Sequence, residues 1–506
     1  MTSAVDISTI SQHELSTDVL VIGSGAGGAT AARVLAEAGR EVVVIEEGRD
    51  LTGSALTQRD GPMYDQLYMD RGGRMTSDHG VHVLQARVLG GGPVINAGDV
   101  VPITDAVLEH WVHSHGLTTF TSENLEPYRQ KALLDLSASR IPEESVNRAN
   151  LLLRVGAEKI GVHGEVMLHN RVGCAGLGTC LIGCPLGAKQ GPRQVSIPAA
   201  MNKGARVYTR ARAARISDFT RPQKRVVVRA LDSLGYRETG EKVIRARTVV
   251  VAANAVATPE LLLRSGMPNP HIGRGLMLQP QLPIVAIFDE PIDAFRGIPQ
   301  SFAITEFEQI EAATGLGGFR IEGIMGTPGI VASLLPFIGK RGREMMARYR
   351  HLAASLLLVP DSPSGSVRVE RERLRIDYAE TEDHKARTLK AANVAARAYL
   401  AAGAQKVIVP VVPAVEISSE RDLKAIESMS LRPASAPFLS AHQQGTVKMA
   451  PSPKTGAASV DGLVFGSDRV FVVDSSLFPS SASSHTMAPI ITVARMLAER
   501  IAALPP

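Results

Sequence analysis

Aromatic side chains are scarce in this 506-residue chain, at 4% of the sequence, and cysteine is scarcer still, at three residues. So few cysteines cannot staple a disulfide-dependent domain, and 21 aromatics argue against ring platforms that stack sugars. There is no arginine-rich arm or lysine run. The 55 Lys+Arg and 50 Asp+Glu are spread along the chain, so no nucleic-acid partner is expected. Long apolar runs are missing too. The longest charge-free one, Gly323 to Gly339, has 17 residues and is broken by Pro328, Pro336 and glycines, which makes a poor membrane span. Residues 1–16 lack a basic start and an apolar stretch, so no signal peptide is read and a cytoplasmic protein is expected. What is present, 44% hydrophobic residues, can bury a sizeable core in about three domains or in one large α/β unit with an insertion.

Thr17 to Ile22 (TDVLVI) is an apolar, β-branched run, as expected of a parallel strand covered on both faces. Gly23-Ser24-Gly25-Ala26-Gly27-Gly28 follows at once, then a helical stretch to Ala38 closed by Gly39, then a second strand from Glu41 to Ile45. This strand–GxGxxG–helix–strand order is a dinucleotide-binding fingerprint. Gly23 permits the tight turn, Gly25 lets the backbone approach a pyrophosphate, and Gly28 allows helix to pack on strand. Ala26 opens the helix whose amino terminus favours phosphate charge. Glu46 ends the second strand, 18 residues after Gly28, placed to accept from an adenosine ribose, with Glu47 beside it. FAD and NAD both use this element.

Three further segments carry a family resemblance. Arg87 to Gly98 (RVLGGGPVINAG) resembles the second flavin signature of the glucose-methanol-choline (GMC) oxidoreductases, and Val249 to Gly266 resembles their VVLAAGAIGSP segment. His442 to Met449 (HQQGTVKM) and Val460 to Pro479 resemble their carboxyl-terminal signatures. The resemblance implies an α/β fold: a Rossmann-like FAD domain with a substrate domain built on a mostly antiparallel sheet with helices. Implied flavin contacts are Arg87, Gly91, Asn96, Ala97, Asp474, Ser475, Thr486 and Met487. Ile95 stands where some relatives attach the flavin to a histidine, so noncovalent FAD is expected. By residue type alone, Asn96 can offer its amide to a phosphate or flavin oxygen, while the alternative for Asp474 is a helix cap or turn acid.

The chain has 13 histidines, and position in these motifs singles out two. His442 heads the HxxGT motif and His485 follows Phe478 by seven residues, where the family carries a catalytic His and a second His or Asn. Taking the hydroxyl proton from an alcohol lets the developing alkoxide expel a hydride to flavin N5, and a neutral imidazole can take that proton. His442 is assigned as base, and His485 as the group that holds the alkoxide oxygen.

Residues 1–282 and 413–506 are expected to form the FAD domain and 283–412 the substrate domain. Strands are expected at Ile284–Phe288, Ser366–Glu370, Leu374–Tyr378 and Lys406–Val412, with helices over Arg341–Leu358 and Asp383–Ala402. A helix is also expected from Thr258, as its cap, and another over Pro489–Ile501. The apolar Gly323–Gly339 stretch, followed by Lys340, Arg341, Arg343, Arg348 and Arg350, reads as ordinary packing or as a lid resting on a membrane surface. Resemblance to the long-chain alcohol oxidase and sterol oxidase-like branches implies an apolar alcohol, long-chain, aryl or sterol, with oxygen or a quinone as acceptor. The rival readings are a hydroxynitrile lyase with non-redox flavin and a nicotinamide enzyme using only the first motif. Cys174, Cys180 and Cys184 share the loop 170–192. Free thiols are favoured there over a disulfide or a metal, because metal clusters usually need a fourth ligand at regular spacing.

Overall fold

The computed structural model describes residues 3–311, 315 and 317–505. Its first sheet grows from the fingerprint. Strand Glu14–Ile22 and strand Val42–Ile45 lie parallel, with Val19 opposite Val42 and Ile22 opposite Ile45. Helix Ala26–Glu37 joins them, and Gly39, at φ +79°, turns the chain out of it. The strand ends are buried on both faces, the burial that a β-branched run without polar alternation requires.

Two distant segments complete this sheet. Arg206–Thr209 pairs parallel outside Val42–Ile45. Glu238–Val251 pairs parallel with the first strand on one side. Its other side carries Lys224–Leu231 antiparallel over its first half and Val470–Val472 parallel at its end. Strand Val470–Val472, near the carboxyl terminus, thus stands beside the amino-terminal motif. Helix Met487–Ala502 packs on helix Ala26–Glu37, so both chain ends share one core.

The second sheet has seven strands, every neighbouring pair antiparallel. Leu352–Leu358 lies at its middle, between Leu282–Ile287 and Arg320–Ile324. Helices Arg148–Lys159 and Glu382–Ala401 pack against it, and Tyr399 is fully buried there.

Several elements differ from the sequence expectation. Leu352–Leu358 is a strand and not the end of a helix: Gly339–Ala347 is α-helical, Tyr349–His351 adds a 3-10 turn, and LAASLLL is buried between two neighbours that hydrogen-bond it. Helix Asn254–Arg264 begins four residues before Thr258, whose hydroxyl turns inward to Asp474 instead of capping. Gly365–Glu370 and Arg373–Asp377 form a separate three-stranded sheet with Arg274–Leu276. Gly164–Val166, from before residue 283, forms an edge of the seven-stranded sheet. In the 323–339 stretch, Pro328–Leu334 is a short helix.

Candidate active site

A single cavity of about 1220 Å³ runs from the fingerprint loop, between the two sheets, to His442 and His485. At its nucleotide end the glycines divide their work as their spacing predicts. Gly23 sits at φ +99°, and a Cβ on Gly28 would lie 1.9 Å from the Gly23 carbonyl oxygen. Gly25 is different: the nearest protein atom to its would-be Cβ is 3.9 Å away, on Gly91. That backbone is bare toward the cavity, the cradle a pyrophosphate needs.

Ser24, which the motif leaves as a free position, ties the cradle together. Its hydroxyl donates to Glu46 at 2.6 Å and accepts from the Gly90 N–H at 2.9 Å, and its own N–H reaches the same carboxylate. Glu46 also accepts from the Gly48 N–H at 2.8 Å. Burial pushes the Glu46 carboxyl up, and the Ser24 and Gly48 bonds pull it back down. A carboxylate has about four lone-pair sites, so capacity for a ribose hydroxyl remains. Glu47 lines the cavity and pairs with Arg212 at 3.0 Å.

The flavin-signature residues fall into two groups. Gly91, Asn96, Ala97, Thr486 and Met487 converge on the cavity wall with Ala26. The Asn96 amide donates to the Met487 sulfur at 3.4 Å, while its Oδ1 is buried without a partner, an acceptor waiting for a ligand. Arg87 and Asp474 line the cavity but are committed to protein. The Arg87 guanidinium donates to the Gly235 carbonyl at 2.7 Å and lies over the Tyr236 ring. Asp474 accepts from Asn254 N–H (3.0 Å), the Thr258 hydroxyl (2.6 Å), Ser476 N–H (2.8 Å) and the Ser476 hydroxyl (2.5 Å). It caps the turn Ser475–Leu477 and ties the carboxyl-terminal strand to helix Asn254–Arg264. The Ser475 hydroxyl donates to the Gln443 carbonyl at 2.7 Å, which orients the segment beside His442.

The two histidines are brought together at the other end. Their rings meet edge to face with centroids 4.9 Å apart. His442 is held through Nδ1 by the Gln281 side-chain amide at 3.0 Å. Burial pushes its pKa down to about 3, with the nearby His485 adding to the effect, so it is neutral at working pH. His485 has the opposite bias. Burial opposes its charge, but Glu322, bonded to His485 Nε2 at 2.9 and 3.0 Å, raises its pKa above the ordinary value. Glu322 is fully buried and also bonds Arg320 and Gln300. Environments that drive two like groups apart in pKa mark an acceptor and a donor.

Glu322, Gln281, Ser24 and Lys189 escaped the sequence reading. Glu322 comes from the second sheet and Gln281 immediately precedes its strand Leu282–Ile287, and no motif spacing links them to the histidines. Buried Lys189 donates to the carbonyls of Val94, Asn96 and Cys180, pinning the flavin-signature turn to the cysteine loop. In that loop Cys174, Cys180 and Cys184 are unpaired thiols, the first exposed and the others half-buried.

Part of the cavity lining is apolar: Ile324, Leu356 and Leu358 of the sheet with Met325, and Ile330, Val331 and Leu334 of the 328–334 helix with Leu335. That helix is tied down by Asp60, which accepts from the Thr327 hydroxyl and from the Gly329 N–H at 2.8 Å. In the 323–339 stretch Met325, Val331, Leu335 and Phe337 are buried, while Ile338 is 90% exposed. Among the described residues no helix is long and apolar enough to cross a membrane.

Comparison with known proteins gives the same grouping. Residues 64–281 and 360–494 match family models described as GMC oxidoreductase, and residues 21–89 match an NAD(P)-binding Rossmann-like domain. An uncharacterised GMC-type oxidoreductase of Mycobacterium tuberculosis is 31% identical over 490 residues, spanning 96% of this chain and 76% of the relative. A long-chain-alcohol oxidase of Arabidopsis thaliana is 28% identical over 513 residues, 97% of this chain and 68% of that protein. In fold, pyridoxine 4-oxidase from Mesorbium loti aligns with a TM-score of 0.71 at 16% identity, covering 96% of this chain and 99% of that one. Full-length sequence likeness, matched family segments and a bare dinucleotide cradle leading to a paired-histidine pocket agree: the chain belongs to the GMC oxidoreductase family, with FAD as its cofactor.

Proposed function

We propose that this protein oxidises the CH–OH group of an apolar alcohol to the aldehyde or ketone, passing the electrons on to oxygen or a quinone. The observation that carries this reading is the opposed pair of histidines: one neutral and one biased toward the cation, with rings 4.9 Å apart at the end of the cofactor cavity. FAD bound in the cleft, noncovalently because Ile95 offers no attachment, supplies the hydride acceptor. Ala26, Asn96, Ala97 and Met487 border it, and Glu46 is the candidate ribose acceptor. His442 takes the hydroxyl proton at Nε2, the nitrogen that Gln281 leaves free. That requires Nδ1 to carry the proton, so Gln281 turns its carbonyl oxygen toward Nδ1–H in the reactive state. His485 donates a hydrogen bond to the same substrate oxygen and stabilises its developing charge.

The apolar lining at Ile330, Leu334, Leu356 and Leu358 supports an apolar substrate, and the likeness to long-chain-alcohol oxidases points the same way. Anaerobic mixing of holoenzyme with a panel of primary and secondary alcohols tests the reaction: the flavin should bleach with apolar alcohols, and admitting oxygen or a quinone should restore it. His442→Ala should keep its yellow flavin and lose bleaching. Normal reduction in that variant would remove His442 from the role, and a flavin that no alcohol bleaches would favour lyase chemistry.

A further inference from the structure

Beside the acid that touches His485 lies a second buried acid that touches nothing. Asp99 follows the turn Asn96–Gly98 and is 3% exposed, and both of its carboxylate oxygens are shielded without a hydrogen-bond partner. A bare buried carboxylate persists only where neighbouring charge compensates it or where it takes up a proton. Asp99, Glu322 and His485 each present a ligand-type atom, and these atoms lie within 4.8 Å of one another. Facing His485 are two carboxylates, Glu322 and Asp99, one guanidinium, Arg320, and the neutral His442. Arg320 is divided between Glu322 and Glu308, so the carboxylates outweigh it at the imidazole. Asp99 also feels the charges of Arg171 and Lys189, and its backbone bridges to His169.

We propose that Asp99 and Glu322 form a two-carboxylate clamp that keeps His485 an imidazolium, with Asp99 acting across space as a positioning residue. Asp99 lines the cavity, but its carboxylate oxygens are buried and unbonded, so it acts on His485 by its charge and not by a bond. Glu322 supplies the direct bond and fixes the ring; Asp99 supplies the second charge. A standing imidazolium is a stronger donor to a negatively charged oxygen than a neutral ring, and it cannot compete with His442 for the substrate proton. The clamp has a built-in pH limit. Burial, partly offset by Arg171 and His485, raises the Asp99 carboxyl to about 6, so acidification removes one of the two anions. The proposal depends on the proposed oxidation for its catalytic consequence, but not for its physical content.

Holoenzyme carrying ¹³C-labelled histidine, with the His485 signal assigned from His485→Asn, reads the proton directly. The His485 signal should titrate with its midpoint above that of an ordinary imidazole. Asp99→Asn should lower its midpoint by about one pH unit, and Glu322→Gln by more. Asp99→Glu, which keeps the charge, should restore it. Both neutral variants should retain bound flavin, and Asp99→Asn should reduce flavin about 10–100-fold more slowly with alcohol at neutral pH. If Asp99→Asn folds poorly, Asp99→Ser serves in its place. An unchanged His485 midpoint in the flavin-loaded neutral variant overturns the proposal, as does a neutral His485 in the unmodified enzyme. Stoichiometric divalent metal whose chelation moves the His485 signal would also overturn it, in favour of a cation held by the same three side chains. Because the titration needs no turnover, an enzyme that shows it and oxidises no alcohol refutes the reaction and leaves the clamp standing.

Discussion

Removing one hydroxyl, in Ser24→Ala, should loosen the cofactor cradle at two places. The Ser24 Oγ bond to the buried Glu46 carboxylate, at 2.6 Å, is of the charged class, worth about 1.5–3 kcal/mol. The same atom satisfies the buried Gly90 N–H at 2.9 Å, and an orphaned donor costs about 1–3 kcal/mol. One side chain makes both bonds, so they do not add in full, and the expected loss of folding stability is roughly 2–4 kcal/mol. Bound FAD would re-impose part of the lost order on the two glycine loops. That part, about 1.4–2.8 kcal/mol, appears as an FAD dissociation constant raised about 10–100-fold. Flavin fluorescence on titrating apoprotein measures the affinity, and thermal unfolding of the holoenzyme measures the rest. An affinity within about twofold of the unmodified protein, with an unchanged midpoint, would refute the view that Ser24 joins the cradle to Glu46 and the Gly90 turn.

Three other outcomes are expected. His442 is held neutral in the folded state, with its pKa lowered to about 3, while the unfolded chain protonates it near 6.5; the stabilisation is therefore present above about 6.5 and is lost as pH falls. Below that pH the stability gap between the unmodified protein and His442→Gln should shift in favour of the variant, by about 1.4 kcal/mol per pH unit in denaturant melts. Gln281→Met keeps the side-chain volume but releases the His442 Nδ1 bond; flavin reduction should slow about 10–100-fold with FAD retained, and a rate equal to the unmodified enzyme would show that Gln281 does not set the tautomer. Asp60→Ala removes both bonds to the start of the 328–334 helix, so KM for apolar alcohols should rise several-fold with little change in limiting flavin reduction, and proteolysis near Thr327 should speed up.

Local signals were legible wherever one short stretch performs one task. The run TDVLVI, the glycines at 23, 25 and 28, and the terminal helix could be read because strand burial, turn geometry and helix packing act within a few residues. Leu352–Leu358 was misread because a short apolar run looks alike in a buried strand and a buried helix, and only the neighbours at Leu282–Ile287 and Arg320–Ile324 decide between them. Arg87 was placed at the cofactor by its motif, yet its guanidinium is spent on Gly235 and Tyr236, partners almost 150 residues away. Asp474 carries both of its readings, lining the cavity while capping a turn.

By itself the sequence determined the dinucleotide fingerprint, which depends on residue type at short spacing, and its resemblance to the GMC oxidoreductases singled out the two histidines and the class of chemistry. The charge of those histidines was decided by the tertiary structure alone. Glu322 comes from a strand of the second sheet and Asp99 from just after the flavin-signature segment, while Gln281, immediately before strand Leu282–Ile287, holds the His442 ring. A pKa depends on distance through a desolvated interior, and such distances follow from how the sheets pack and not from order along the chain. The scarcity of cysteine and aromatics could exclude functions, but only the fold could place two identical imidazoles in opposite electrostatic surroundings.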